Sequence, residues 1–161
     1  MHPKIEAILN EAENRYLNPE ELGVINQYVD SLPNRIEAYR TVRDRELEIM
    51  QQVADQLQAA MPQEKTENLE RSLKNALLML RYCAIGMLLN DESFVHDRLL
   101  SWLSASIGFY NTQTINTTLY RLLNQQLSQT LAAPYSSLLN PMLIMAQNTL
   151  QQSAAAPALV R

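Results

Sequence analysis

The placement of helix-breaking residues constrains this chain more than any other feature: only 3 glycines occur in 161 residues, and the 7 prolines fall at a few sharply separated positions. Folds built from many short strands need frequent glycine-bearing turns, so this distribution predicts long helices and an all-α class. At this length the chain makes one domain with a sizeable core and is too short for two ordinary ones.

The segment Pro3 to Leu17 carries Ile5, Ile8, Leu9 and Ala12 at helical spacing. Asn18-Pro19-Glu20-Glu21 follows with an N-cap, a first-turn proline and acids at the positive helix end, so two short helices are expected. Asn34 with Glu37 has the form of a capping box, and Ile36, Tyr39, Val42, Met50, Val53, Leu57 and Met61 make a stripe that stops at Pro62. This is the first long helix. After a polar connection at Gln63 to Thr66, a second runs through Leu69, Leu73, Leu77, Leu80, Ala84 and Leu88 and stops near Asn90, a residue that tolerates the left-handed conformation.

Ser93 or Asp91 caps a third helix, expected to bury Leu99, Trp102, Leu103 and Ile107; a fourth carries Ile115, Leu119, Leu122 and Leu127. Pro134 opens the last helical region, and Pro141 inside it predicts a kink or a restart. The Ala-rich tail after Ser153, with Pro157, is expected to be loosely held. No internal repeat is present. Roughly six to eight helices without sustained heptads suit a globin-like packing rather than a coiled coil.

Charge narrows the function classes. The net charge of −4 argues against a nucleic-acid binder, and the nearest basic cluster, Arg35, Arg40, Arg43 and Arg45, is interleaved with Glu37, Asp44, Glu46 and Glu48 as on a solvated helix face. All 17 acidic residues precede Leu99, beyond which the only charged side chains are Arg121 and Arg161. The uncharged run Leu122 to Val160 is interrupted throughout by Asn, Gln, Ser and Thr, so it does not read as a transmembrane helix. Two readings of it stay open: a surface easily buried against another protein, because no charge must be desolvated, or an ordinary solvated surface of unusual composition. The single cysteine, Cys83, cannot form an internal disulfide and no export signal is visible, which predicts a cytoplasmic location.

No glycine-rich phosphate loop, paired metal-ligand spacing or Ser-His-Asp arrangement occurs, so neither catalysis nor a metal site is expected. His2 and His96 are the only histidines. His96, near a helix start, is expected to be exposed or capping rather than a haem ligand. Cys83 lies mid-helix among apolar neighbours, where a free thiol behaves as a small buried hydrophobe.

The second long helix and its continuation carry Leu80-Arg81-Tyr82, then Met87-Leu88-Leu89-Asn90-Asp91, then Asp97-Arg98-Leu99-Leu100. With Asn10-Glu11 and Arg15-Tyr16-Leu17 upstream, this order and spacing resembles the phycocyanin and allophycocyanin subunits of the phycobiliprotein family over most of the chain. The resemblance implies a globin-like helical core over residues 33–153, preceded by an N-terminal helical hairpin at 1–32 and followed by a flexible tail at 154–161. It also implies that the hairpin packs on a partner subunit, with Glu11, Tyr16 and Arg81 in one polar cluster.

At the pigment site the chain departs from the family. The position of the bilin-linking cysteine holds Ser72, which cannot form a thioether. Lys74 stands where the family has an arginine for a propionate, keeping the charge without the bidentate fork. Asn75 replaces the aspartate that faces the pyrrole nitrogens. The expectation is a phycobilisome-type protein without covalent bilin, acting through protein contacts in light harvesting or in the assembly or turnover of photosynthetic complexes. Its partner is expected to be a phycobiliprotein-like subunit, a second copy of itself or a photosynthetic complex, in the cytoplasm or peripherally at the thylakoid membrane. The alternative is a carrier or sensor holding a tetrapyrrole (bilin, chlorophyll or haem) non-covalently, with Lys74 at a propionate.

Overall fold

Asn18 marks the first sharp boundary. Its side chain accepts a hydrogen bond of 2.9 Å from the Glu21 amide, and the Glu21 carboxylate accepts one of 2.9 Å from the Asn18 amide, closing a full capping box. In the computed structural model, which describes residues 2–155, helix α1 (Pro3–Glu11) precedes this cap and helix α2 (Pro19–Ala60) follows it. No strand occurs among the described residues, in agreement with the all-α expectation.

α2 corrects the expected division into a short and a long helix. It runs for 42 residues straight through Pro33, and Asn34 is an exposed interior residue rather than an N-cap. A proline inside a helix removes one hydrogen bond and ordinarily costs about 3 kcal/mol. Here the neighbouring side chains tie that stretch down. Ser31 Oγ donates to the Tyr28 carbonyl and accepts from Arg35 Nε, and Arg35 Nη1 donates to the Met87 carbonyl of the next helix. Beyond the proline, Ala38, Val42, Ile49, Val53 and Leu57 are buried and hold the rest of the rod in the core. Arg35 is therefore not part of the solvated face; that description holds for Arg40, Arg43 and Arg45, paired with Glu37, Asp44 and Glu48.

Helix α3 (Thr66–Leu89) ends at Asn90, which has φ 49° and is left-handed as expected. The freed carbonyls of its last turn are satisfied from α2, by Arg35 at Met87 and by the Tyr28 hydroxyl at Leu88 (3.1 Å). Asp91 then caps the next helix, accepting from the Phe94 amide at 3.2 Å, while the Ser93 hydroxyl donates to the same carboxylate. Gly86 makes the corner possible: a Cβ there would lie 2.5 Å from Val95 Cγ2.

The third helix is not uniform. A short α4 (Glu92–Val95) passes into a π-helical turn at residues 96–100 and then into α5 (Ser101–Ile107). The wider turn lets Leu99 and Leu100 both face the core, shifting the buried side onto Leu103 and Ile107. Trp102, expected inside, sits at the edge of that side and is 49% exposed.

Helix α6 (Gln113–Thr130) buries Ile115, Leu119, Leu122 and Leu127 as expected. Helix α7 (Ala133–Ala155) has Pro134 in its first turn and continues through Pro141, so of the kink or restart expected there the restart does not occur. Ala154 and Ala155 still belong to α7, and the rest of the tail, including Pro157, lies outside the described residues. α2 packs against α3 and α6, and α7 closes the core against all three. One helix among the described residues, α3, is long and apolar enough to cross a membrane, and its side bearing Leu80, Cys83 and Met87 faces this core. The arrangement is the globin-like one expected.

Candidate functional site

The α1–α2 hairpin stands out because its own chain does not bury it. None of the residues of α1 is buried, and α2 contributes no buried residue before Ala38. The connection is tied at its far end by Arg15, whose guanidinium donates to both Glu21 oxygens at 2.9 and 2.7 Å. That hydrogen bonding, with the Asn18 amide, holds the Glu21 carboxyl at about 2. Tyr16, next to this clamp, is fully exposed, and Glu11 also faces solvent. A tyrosine ring held at the tip of a braced connection with no contact to cover it is a group presented outward.

Arg81 lies on α3 and meets α2. Its Nε and Nη2 donate to the two oxygens of Glu46 at 2.6 and 2.9 Å, the two-pronged geometry that suits guanidinium to carboxylate. The bonding holds the Glu46 carboxyl below the usual range, and the carboxylate raises Arg81. Beside the pair, Tyr39, Val42, Ala84 and Ile85 line a pocket of about 270 Å³. The three residues expected in one cluster are thus divided within the chain: Arg81 is with Glu46, while Glu11 and Tyr16 lie on the hairpin. Glu46 was not singled out from the sequence, where it is one of several acids alternating with arginines.

The pigment-site positions face three ways. Ser72 is buried and its hydroxyl has no hydrogen-bond partner among the described residues, Lys74 is exposed and Asn75 is half-buried. Arg71, just before Ser72, lies under the Tyr110 ring, 4.0 Å from its centroid. Neither the pocket beside Arg81 nor the larger one at His2 is lined by Ser72, Lys74 or Asn75.

Cys83 is fully buried, its thiol directed to the Met142 carbonyl at 3.5 Å and pushed up to about 12 by burial. His96 is exposed, and its Nδ1 lies 3.2 Å from Asp97 Oδ1. Among the described residues no group of three or more His, Cys, Asp and Glu could hold a metal ion.

His2 is the residue with the least warning in the sequence. It is buried in an edge-on contact with the Tyr28 ring at 5.1 Å, and its Nε2 lies 2.9 Å from the Asn90 amide nitrogen. The pocket of about 520 Å³ at this junction also takes in Lys4, Arg35 and Glu92. A lone histidine at the start of the chain carries no periodicity that could have revealed the contact.

Comparison with known proteins returns one family: the model of the phycobilisome proteins matches residues 7–158. No curated protein matches the chain.

Proposed function

This chain belongs to the phycobilisome protein family, whose members serve light harvesting and assemble with other subunits in the cytoplasm near thylakoids, and on that premise we propose that it works as a pigment-free, non-catalytic binding member of that family. The state of the two candidate attachment positions carries the reading. A thioether needs a reachable thiolate; Ser72 offers a buried hydroxyl, and the only thiol of the chain, on Cys83, is buried with its proton held until about pH 12.

What the chain offers instead is a contact surface. Tyr16, the hairpin's outward group, and the pocket beside the Arg81–Glu46 pair are complementary in kind: an aromatic ring with a hydroxyl, and an apolar hollow with a cation and a carboxylate at its rim. Glu11 on the hairpin is the acid that would meet Arg81 across the contact. A phycobiliprotein-like subunit or a second copy of this chain supplies both halves, in antenna assembly or turnover.

An absorption spectrum of the protein purified from a phototrophic host tests this directly. The expected result is no visible band, and no pigment on the denatured chain. A coloured protein whose pigment leaves on denaturation replaces this reading with non-covalent tetrapyrrole carriage, and a pigment that stays attached refutes both.

A further inference from the structure

The pocket of about 520 Å³ at the foot of α1 takes no part in the hairpin contact. Its walls come from three places: α1 with His2, the first half of α2, and the corner between α3 and α4. The volume falls in the range of small-molecule sites, about 300–1,000 Å³. Pro3, Val24 and Tyr28 supply apolar surface.

Arg35 is the polar group that distinguishes this pocket. Its guanidinium is half-buried, and only two of its five N–H bonds are used: Nε donates to Ser31 Oγ at 2.8 Å, and Nη1 donates to the Met87 carbonyl. Nη2 has no acceptor among the described residues. No carboxylate pairs with this cation, and burial lowers its pKa from the ordinary value with only Tyr28 opposing. A guanidinium taken half out of water without a counter-charge loses hydration that nothing in the chain replaces. The two hydrogen bonds fix the plane of the group, so its free edge is held ready for an acceptor.

The other charges of the lining are few. Lys4 and Glu92 are exposed, and the side chain of neither makes an ion pair or a hydrogen bond among the described residues. Asp91 is buried beside the pocket without lining it, and its carboxylate accepts from the Ser93 hydroxyl and the Phe94 amide as a helix cap. The lining therefore carries two cations and one anion, and a single negative charge on a ligand completes the balance.

We propose that this pocket binds a small monocarboxylate with an apolar or aromatic body, the carboxylate on the free edge of Arg35 with Lys4 nearby, the body against Pro3, Val24 and the Tyr28 ring. A guanidinium edge matches two carboxylate oxygens. A phosphate monoester carries nearly twice the charge and meets Glu92 with the excess. Because the walls belong to α1, α2 and the α3–α4 corner, the ligand ties α1 to the core, which buries none of that helix by itself. The inference uses none of Glu11, Tyr16 and Arg81, so it stands apart from the hairpin contact.

Isothermal titration calorimetry of the full protein with benzoate, hexanoate, benzamide and inorganic phosphate tests this. Binding of benzoate or hexanoate is expected, with benzamide and phosphate weaker by at least about tenfold, the worth of a charge-assisted hydrogen bond. Arg35→Lys keeps the charge and loses the fork, and should weaken benzoate by about the same factor of ten. Arg35 also holds the end of α3, so Glu92→Gln, at an exposed position, provides the second variant; it should strengthen benzoate about threefold. Hydrogen exchange in α1 should slow on addition of benzoate and not of benzamide. Binding of neither carboxylate, equal binding of benzamide, or an affinity that neither variant changes overturns the proposal. Tighter binding of phosphate than of benzoate overturns it too.

Discussion

Arg81 on α3 and Glu46 on α2, 35 positions apart in the chain, meet through two hydrogen bonds of 2.6 and 2.9 Å at the rim of an apolar pocket. Arg81 is exposed and Glu46 half-buried, and pairs open to water on one side add little to the stability of an isolated chain because water and salt screen them. The guanidinium is thereby placed and oriented without being consumed, since a planar fork held on one edge still presents other N–H groups.

Arg81→Ala and Tyr16→Ala are therefore expected to leave the melting temperature of the isolated protein unchanged. Each should weaken capture of the partner subunit, or self-association, by at least about tenfold, as loss of an interface anchor does. Calorimetry and analytical ultracentrifugation on the two variants and the parent protein separate these effects. Loss of thermal stability with binding intact would contradict the assignment.

Cys83 should be chemically silent in the folded chain. A maleimide added at pH 8 is expected to label it only after unfolding, because burial both hides the sulfur and holds its proton until about pH 12. Intact-mass measurement with and without denaturant reads this, and rapid native labelling would show that α3 and α7 part at this point.

Two glycines on long helices predict opposite signs. Gly86→Ala forces a Cβ to within 2.5 Å of Val95 Cγ2 and 3.2 Å of the Asp91 carbonyl, and should destabilise the protein by about 1–3 kcal/mol despite the gain in helix propensity. At Gly23 nothing lies within 4 Å of an added Cβ, so Gly23→Ala should stabilise by about 0.4–1 kcal/mol through propensity alone. Urea unfolding of both variants gives the two signs side by side.

The α1 anchor should weaken on acidification. Burial, with Arg35 and Lys4 close by and Asp91 only partly opposing, lowers His2 below its ordinary 6.5, so the unfolded chain takes up the proton first. Its contribution is then complete above about pH 6.5, falls as the pH drops below that value, and stops falling once the folded-state value is passed. Protection of the α1 amides, taken as exchange relative to the intrinsic rate at each pH, should fall over that window in the parent protein, and His2→Gln should remove that part of the pH dependence. An α1 whose exchange shows no difference between the two proteins would disprove the role.

The helix boundaries were legible wherever a few adjacent residues decide them. The N-cap at Asn18, the left-handed stop at Asn90, a cap at Asp91 or Ser93 and the buried spacing of Ile115, Leu119, Leu122 and Leu127 rest on backbone valences and periodicities that act within one or two turns. The resemblance to the phycobilisome family was legible too, because it lies in the order of short motifs along the chain. Of the residues singled out, the burial of Cys83 followed from residue type and immediate neighbours.

Local signals failed where another element was needed to settle the outcome. Asn34 with Glu37 reads as the start of a new helix, yet α2 runs through it, with Arg35 and Tyr28 engaged by the carbonyls at the end of α3. Trp102 reads as core, yet one wide turn shifts the buried side past it. Glu46 became the partner of Arg81, and His2 that of Asn90 88 residues away, through the relative rotation and height of packed helices. Propensity and spacing specify what each helix is and where it stops; which side chains meet between helices depends on how the apolar faces interlock.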